Sequence, residues 1–406
     1  MAATFIPAVT AMSLPTLRLN KNEERRLRGG HLWIYSNEVD SKATPLKGFD
    51  AGQQVLVESS QGKALGVAYV NPNSLICARL LDSDSKAFGQ KQIDQRLRQA
   101  LELREQLYPE PCYRLVYGES DWLPGLVVDR FGDHLSVQFN TAGMEALREP
   151  VLQALQKVLQ PQSILLRNDA SVRKLEGLPE VVECVHGESP EDVELVENGV
   201  RFLAPLASGQ KTGWFYDQRP NRAWLRELAP GKRVLDVFSY VGSFGVQAAA
   251  FGASEVWCND ASELALEKAH ENAVLNAVGD KLVTLQGDAF EALRQLKDDG
   301  ERFDIVIVDP PAFIKRKKDL KEGALAYRRI NELAMRLLNY GGYLISGSCS
   351  MHMPREELLD IVRAASRHID RNAQVLMEGM QGADHPVHPA IPETRYLKAV
   401  LSRISR

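Results

Sequence analysis

The stretch GGYLISGSCSMHM, Gly341 to Met353, sets one cysteine between two serines where a run of strand-forming residues ends. A thiol in such a place is either a small core residue or a nucleophile at the mouth of a site. A second strand-like run, FDIVIVDPPAF, closes on Asp309 and two prolines. Successive prolines lack amide hydrogens and stiffen the turn, and a rigid turn beside a cofactor can hold a flat ring. Carbon 5 of cytosine is too weak a nucleophile for a sulfonium methyl until a thiolate adds at carbon 6. Cys349 is therefore the candidate nucleophile, next to the Asp309 turn. The thiol is expected to be held low by hydroxyls, backbone N–H groups or a helix beginning near Pro354. Cys258, inside an apolar strand, is expected to be inert.

A methyl donor needs its own cradle. VLDVFSYVGSFGVQAAAFGA leaves a strand at Asp236 and enters a helix after Gly242. Glycines at 242 and 245 allow close backbone approach at a helix N-terminus. The spacing is not G-x-G-x-x-G, so a dinucleotide is a poor fit. An acid here with no phosphate grip suits a ligand with a positive end, as S-adenosylmethionine has. Ser239 and Gly242 belong to the same loop. Asp260, ending the next strand about twenty residues on, is placed to accept two ribose hydroxyls. Asp288, in QGDAF, is placed for an adenine amino group. The competing reading is that these acids cap the helices that follow them; for Asp288 alone the two readings weigh equally.

Such strand ends need a sheet to align them. From about residue 201 onward, short apolar runs alternate with amphipathic stretches such as SELALEKAHENAVLNA. That alternation predicts an α/β unit, a mostly parallel Rossmann-like sheet with helices on both faces. Ligands then gather at the carboxyl ends of its strands. Upstream, QQVLVESS, ALGVAYV and LICARLL read as a small β-rich unit. A helix, QIDQRLRQALELREQL, and a strand–helix–strand pattern follow, predicting a central α+β unit. VELVENGVRFLAP reads as a hairpin turning at Asn198-Gly199. The expected divisions are a tail over 1–15, a β-rich domain over 16–92, a central domain over 93–192 and a Rossmann-like domain over 193–406.

The chain has 406 residues, a net charge of −4 and five cysteines. The length implies more than one core. No apolar run approaches a membrane span, and the opening MAATFIPAVTAMSLP lacks the basic start of a signal peptide. Cysteines without C-x-x-C spacing argue against a disulfide framework or a zinc site, so no metal is expected and a reducing cytoplasm fits. The acidic balance excludes a generic polyanion binder, yet two local runs are basic. Lys315 to Arg329 carries seven basic residues against two acidic ones. Its leading Lys315, Arg316, Lys317 and Lys318 follow the proline turn directly, where phosphates flanking a target would pass. The other run, RLNKNEERRLRGG, holds Arg25, Arg26 and Arg28.

At these residues the chain resembles the bacterial large-subunit rRNA cytosine-5 methyltransferases of the RlmI type. The matching pieces are SGQKTGWFYDQRPNR, the Asp236 loop, FDIVIVDPPAF, SGSCS, ADHPV, LRGGHLWIYSNEV and ESDWLPGLVVDRFGDHLSVQF. The resemblance implies a PUA front domain, S-adenosylmethionine as cofactor, and 23S rRNA or a large-subunit assembly intermediate as partner. It implies that Cys349 attacks the base and Asp309 holds the cytosine edge. It also implies that Gln210 to Arg219, including Phe215, Asp217, Gln218 and Arg219, wall the cofactor site. Phe313, Phe215 and Tyr240 become candidates to stack on a flipped base. Ala312 stands where the family often has lysine, and also where amino-methylating enzymes carry the aromatic of their D-P-P turn. His385 receives no chemical step, and a homodimer stays open. Two other readings also stay open: an RNA amino-group methyltransferase in which Cys349 is a bystander, and a non-catalytic RNA-binding assembly factor.

Overall fold

The computed structural model describes residues 14–406; nearly all of the expected tail lies outside them. The C-terminal sheet has seven strands: β1 (Arg233–Val237), β2 (Glu255–Asp260), β3 (Leu282–Gln286), β4 (Phe303–Val308), β5 (Leu338–Ser348), β6 (Asn372–Gly379) and β7 (Lys398–Ser405). Their order is β3-β2-β1-β4-β5-β7-β6. All pairs are parallel except those of β7, which runs antiparallel to both neighbours.

Successive residues of the central strands enter different cores. Val234, Ile305, Ile307 and Ile345 pack with the helices Gly245–Ala250 and Glu263–Leu275. Leu235, Val306, Val308 and Leu344 pack with Ala289–Asp298, Leu320–Leu337 and Arg355–His368 on the other face. A strand covered on both faces must be apolar throughout, which is why these segments read as unbroken runs. Each such side chain contributes about 1.5–3 kcal/mol by leaving water. Strand order reverses between β1 and β4, so a crevice opens beyond their carboxyl ends.

Upstream, strands Thr16–Arg18, Trp33–Ile34, Gln54–Glu58, Ala64–Val70 and Ala78–Asp82 form a five-stranded sheet around a small core of Leu17, Ile34, Val55, Val57 and Val70. A second five-stranded sheet spans Cys112–Tyr117 to Val181–Gly187 and carries helices Gln90–Leu107 and Arg148–Leu159. The helix of the central strand–helix–strand pattern, MEALREPVLQALQKVL, is two, Ala142–Ala146 and Arg148–Leu159, with Pro150 in the first turn of the second. There its missing N–H costs nothing, whereas inside one long helix it would remove a bond. The hairpin Asp192–Glu197/Val200–Pro205 turns at Asn198 and Gly199, both with positive φ, as a tight hairpin requires.

Buried polar contacts join these sheets. The Tyr69 ring lies on Gly143 so closely that a Cβ there would stand 1.9 Å from it. Arg104, fully buried, forms two bonds to Asp121 at 2.6 and 2.8 Å and reaches the Asp384 carbonyl at 2.9 Å. Arg114 pairs with Asp129, which also accepts from the Thr212 hydroxyl at 2.5 Å. Removing one partner of such a pair strands a buried charge at a cost of about 3–5 kcal/mol. Among the described residues no helix is long and apolar enough to cross a membrane.

Candidate active site

Cys349 leaves the end of β5 partly exposed, with Sγ 4.0 Å from the Pro310 carbonyl oxygen. Its two serines are buried and hold the turn. Ser348 Oγ bonds the Tyr327 hydroxyl at 3.0 Å, and that hydroxyl lies 3.0 Å from Ser350 Oγ. Ser350 Oγ accepts from the Ile314 amide at 3.2 Å, which fastens the proline turn to the cysteine turn. From β7, buried Lys398 donates to the Ser350 carbonyl at 2.6 Å. The thiol is thus the open member of a bolted turn. Cys258, by contrast, is fully buried, and burial drives its thiol well above the ordinary range.

Asp309 follows β4 directly, and a Cβ on Gly347 of neighbouring β5 would lie 2.7 Å from its Oδ1. Burial and the nearby Asp217 charge push the Asp309 carboxyl up to about 6, against the pull of Arg222 and Gln218. Asp217 itself is held low. Burial raises it, but His385, Lys211 and the Tyr396 hydroxyl bound to it outweigh that effect. Cys349 departs from expectation. Burial holds its thiol above the ordinary range, Lys211 opposes this, and Asp309 and Asp217 reinforce it. A thiol held low was expected; the carboxylates gathered around this one have the opposite sign of effect.

Beyond β1 the chain takes left-handed conformations at Phe238, Tyr240 and Gly242 in alternation. Asp236 Oδ2 accepts from the Gly245 amide at 2.8 Å at the start of the following helix. Burial first, and then the charges of Asp309 and Asp260, raise the Asp236 carboxyl to about 8. Asp260 uses both oxygens, accepting from Ser262 N and Tyr240 N at 2.9 Å each, so it braces the loop. The Tyr240 hydroxyl accepts from the Gln210 amide at 3.0 Å and donates to the Gly213 carbonyl at 3.3 Å. The segment containing Phe215 and Asp217 is thereby stitched beside the Asp236 loop. Gln218 reaches toward Asp309 and accepts from Asn221 at 2.7 Å.

The remaining sequence candidates differ in what they touch. Asp288 is exposed and caps the helix Ala289–Asp298, accepting from Phe290 N and Glu291 N. Arg219 turns toward Cys112, Glu197 and the Tyr108 ring, where it serves the junction between sheets. Phe313 packs among Phe238, Phe290 and Tyr327 and is only partly exposed. Lys315, Arg316, Lys317 and Lys318 are exposed beside the proline turn, Arg316 pairing with Asp319 at 3.1 Å. Arg25, Arg26 and Arg28 are exposed on a short helix far along the chain, Arg26 reaching Glu38 at 3.4 Å. Lys211 falls inside the Gln210-to-Arg219 wall without a role of its own there, and no feature of the sequence singles out Tyr327 or Lys398. Of these only Lys211 had a local signal, lying inside the SGQKTG piece.

Residues 151–400 match the S-adenosylmethionine-dependent methyltransferase family and residues 17–83 a PUA-like domain. A protein of Tolumonas auensis named ribosomal RNA large subunit methyltransferase I is 39% identical over 401 residues, covering 96% of this chain and 99% of its own. This chain belongs to that family. A relative of the same name from Erwinia tasmaniensis is 38% identical, with coverages of 96% and 99%. In fold, a putative SAM-dependent methyltransferase from Streptococcus mutans superposes with a TM-score of 0.81 at 20% identity, over 96% of this chain and all of that one. A putative methyltransferase complexed with SAH does so at 0.83 and 20%, with the same coverages. The family's cofactor is S-adenosylmethionine, and the crevice suits it. Asp217 Oδ1, Asp236 Oδ1 and Ser239 Oγ are buried without a hydrogen-bond partner beside a loop whose backbone is already bent open. Buried acceptors without donors are costly unless a ligand satisfies them.

Proposed function

We propose that this chain methylates carbon 5 of a cytosine in 23S rRNA, free or in an assembling large subunit, through a covalent bond to Cys349. The observation that carries the reading is the placement of one partly exposed thiol against the Pro310 carbonyl, in a turn bolted to the Asp309 turn. When bound, S-adenosylmethionine supplies an electrophilic methyl group. Asp217, Asp236, Ser239 and Gly242 would hold it, with Asp260 bracing the loop. The nearly neutral Asp236 keeps a second anion out of a crevice already occupied by Asp217.

The chain's own residues do the rest. Cys349 adds as thiolate to carbon 6, which makes carbon 5 enamine-like and able to take the methyl. Asp309, titrating near neutrality, holds the ring nitrogen or amino group and can share a proton with the ring as negative charge builds there. Water in the crevice then takes the carbon 5 proton, the carbon 6–Sγ bond breaks as the carbon 5–carbon 6 double bond re-forms, and Cys349 leaves as thiolate. Reaching the thiol requires an unpaired or flipped base. Lys315 to Lys318 meet its phosphates, and the front β-rich unit, residues 16–92, binds RNA with Arg25, Arg26 and Arg28. The site of action is the cytoplasm.

Bisulfite mapping of 23S rRNA from cells with and without the gene tests the reading. One cytosine should lose its protection when the gene is absent or carries Cys349→Ala. An unchanged map would end the cytosine-5 proposal, and methylation that survives Cys349→Ala would favour amino-group transfer.

A further inference from the structure

Away from the thiol, an open groove of about 420 Å³ runs between the helix Gln90–Leu107 and the turn after Cys112–Tyr117. Asp82, Gln92, Gln95, Arg96, Gln99 and Trp122 line it. Trp122 is 54% exposed, the other tryptophans being buried or half-buried. It also sits at φ 54°, left-handed for a bulky side chain. Exposure of so large an apolar ring and an unfavourable backbone both oppose folding. Neither is relieved by packing here.

The groove is built to keep that ring in place. Arg96 donates to the Trp122 carbonyl, to the Leu81 carbonyl at 2.5 Å and to Asp82 at 3.2 Å, with its guanidinium over the Phe88 ring. Its charge is thus neutralised inside the groove wall. Gln92, Gln95 and Gln99 recur at three and four residues, one face of the helix. Gln92 caps its own helix through Gly89 N. The amides of Gln95 and Gln99 are exposed and have no protein partner among the described residues. A flat ring beside two free amides, in a wall without net charge, is complementary to a base and not to a phosphate.

Position supports the same occupant. The Trp122 ring stands edge-on to His388 at 6.3 Å, in the loop whose His385 packs on Tyr117 and whose Tyr396 bonds Asp217 beside Asp309. Glu119 of the same turn accepts from Trp33 Nε1 at 2.8 Å, just past the helix bearing Arg25, Arg26 and Arg28, and Gly30 after that helix lies against Ala390 of the same loop. The groove therefore opens beside the place where the cationic front segment meets the loop bordering the reacting site.

We propose that this groove binds one unpaired nucleobase of the RNA substrate, stacked on Trp122 and hydrogen-bonded along its edge by Gln95 and Gln99. The proposal rests on the RNA-methylating reading above and adds a second contact nucleotide to it. The test measures binding of protein-free 23S rRNA transcript to full-length Cys349→Ala protein, so that no turnover intervenes. Adding Trp122→Ala should weaken binding roughly 5- to 100-fold, the range for loss of one base stack. Trp122→Phe should stay within about threefold, because a phenyl ring still stacks. Gln95→Ala with Gln99→Ala should fall between them, with unfolding temperatures unchanged throughout. Equal affinity of parent and Trp122→Ala overturns the groove proposal while leaving the methylation reading intact. A defect seen only on protein-containing subunits overturns it in favour of a ribosomal protein. Equal loss in Trp122→Ala and Trp122→Phe with lower unfolding temperatures makes the ring structural and also overturns it. A parent that fails to bind the transcript overturns the groove proposal, while the methylation reading still stands or falls with the bisulfite map.

Discussion

The ammonium of Lys398 lies 2.6 Å from the carbonyl oxygen of Ser350, the residue that follows Cys349. This lysine is 6% exposed, and burial lowers its amine to about 8. A buried amine given one backbone acceptor is costly to keep. What it secures is the cysteine turn. Lys398→Met removes the buried charge and fills the same space, so thermal unfolding should be unchanged or later. Single-turnover methylation should fall roughly 10- to 100-fold, the scale of an ångström's misplacement of a reacting group. A variant with parental turnover would show that the turn holds without it.

The thiol's titration can be read directly by mass spectrometry of the Cys349 peptide after timed iodoacetamide treatment. Burial and two carboxylates hold this thiol above its ordinary range, so the alkylation rate should climb with pH beyond that range. Lys211→Met removes the opposing cation and should move the profile to higher pH. Asp309→Asn removes a carboxylate and should move it to lower pH. Cys258 should stay unmodified in the native protein. Shifts of equal sign in the two variants would refute this electrostatic account.

Asp236 makes stability depend on pH in an unusual direction. Its carboxyl is raised to about 8 in the folded chain, whereas an unfolded aspartate titrates near ~3.9. Between those values the unfolded chain releases the proton and the folded one keeps it. This residue therefore contributes a loss of stability as pH rises from about 4 to about 8, and none beyond. Denaturation of Asp236→Asn across that window should show a smaller decline than the parent, because the amide still accepts from Gly245 and never ionises. Calorimetry near neutral pH should at the same time show S-adenosylmethionine binding weakened by no more than about tenfold, because the amide replaces a carboxyl that is already largely neutral there. Parallel stability curves would contradict the buried-acid account.

Gly347 offers the sharpest steric test. An added Cβ would stand 2.7 Å from Asp309 Oδ1, closer than real contacts allow. Gly347→Ala must displace that carboxyl. We expect turnover to fall by about 100-fold, as for a comparable misplacement, with RNA affinity retained in a filter-binding assay. Undiminished turnover would mean that Asp309 has no positional role.

The strand-end residues were legible because a sheet buried on both faces writes itself as apolar runs, and each run must stop where the crevice begins. Asp236, Asp260, Asp309 and Cys349 stand at those stops. Spacing could not say whether an acid at such a stop faces a ligand or its own helix. Asp288 caps a helix, and Asp260 gives both oxygens to backbone amides. The direction of the thiol's shift was equally hidden, since burial and the approach of Asp217 and Lys211 arise only on folding. Tyr327 and Lys398 reach the cysteine turn from a helix and a strand on either side of it in sequence, and no local motif announces them. Arg219 belonged to a recognisable piece, yet its guanidinium went to a neighbouring sheet.

The buried contacts that cross from the central sheet to the C-terminal unit, Arg104 and the Arg114 amide to Asp384 and Thr212 to Asp129, leave little freedom for one unit to swing against another. A molecule so braced acts as a caliper whose jaws cannot be adjusted. A partner that binds across these units therefore meets surfaces whose spacing is set before it arrives.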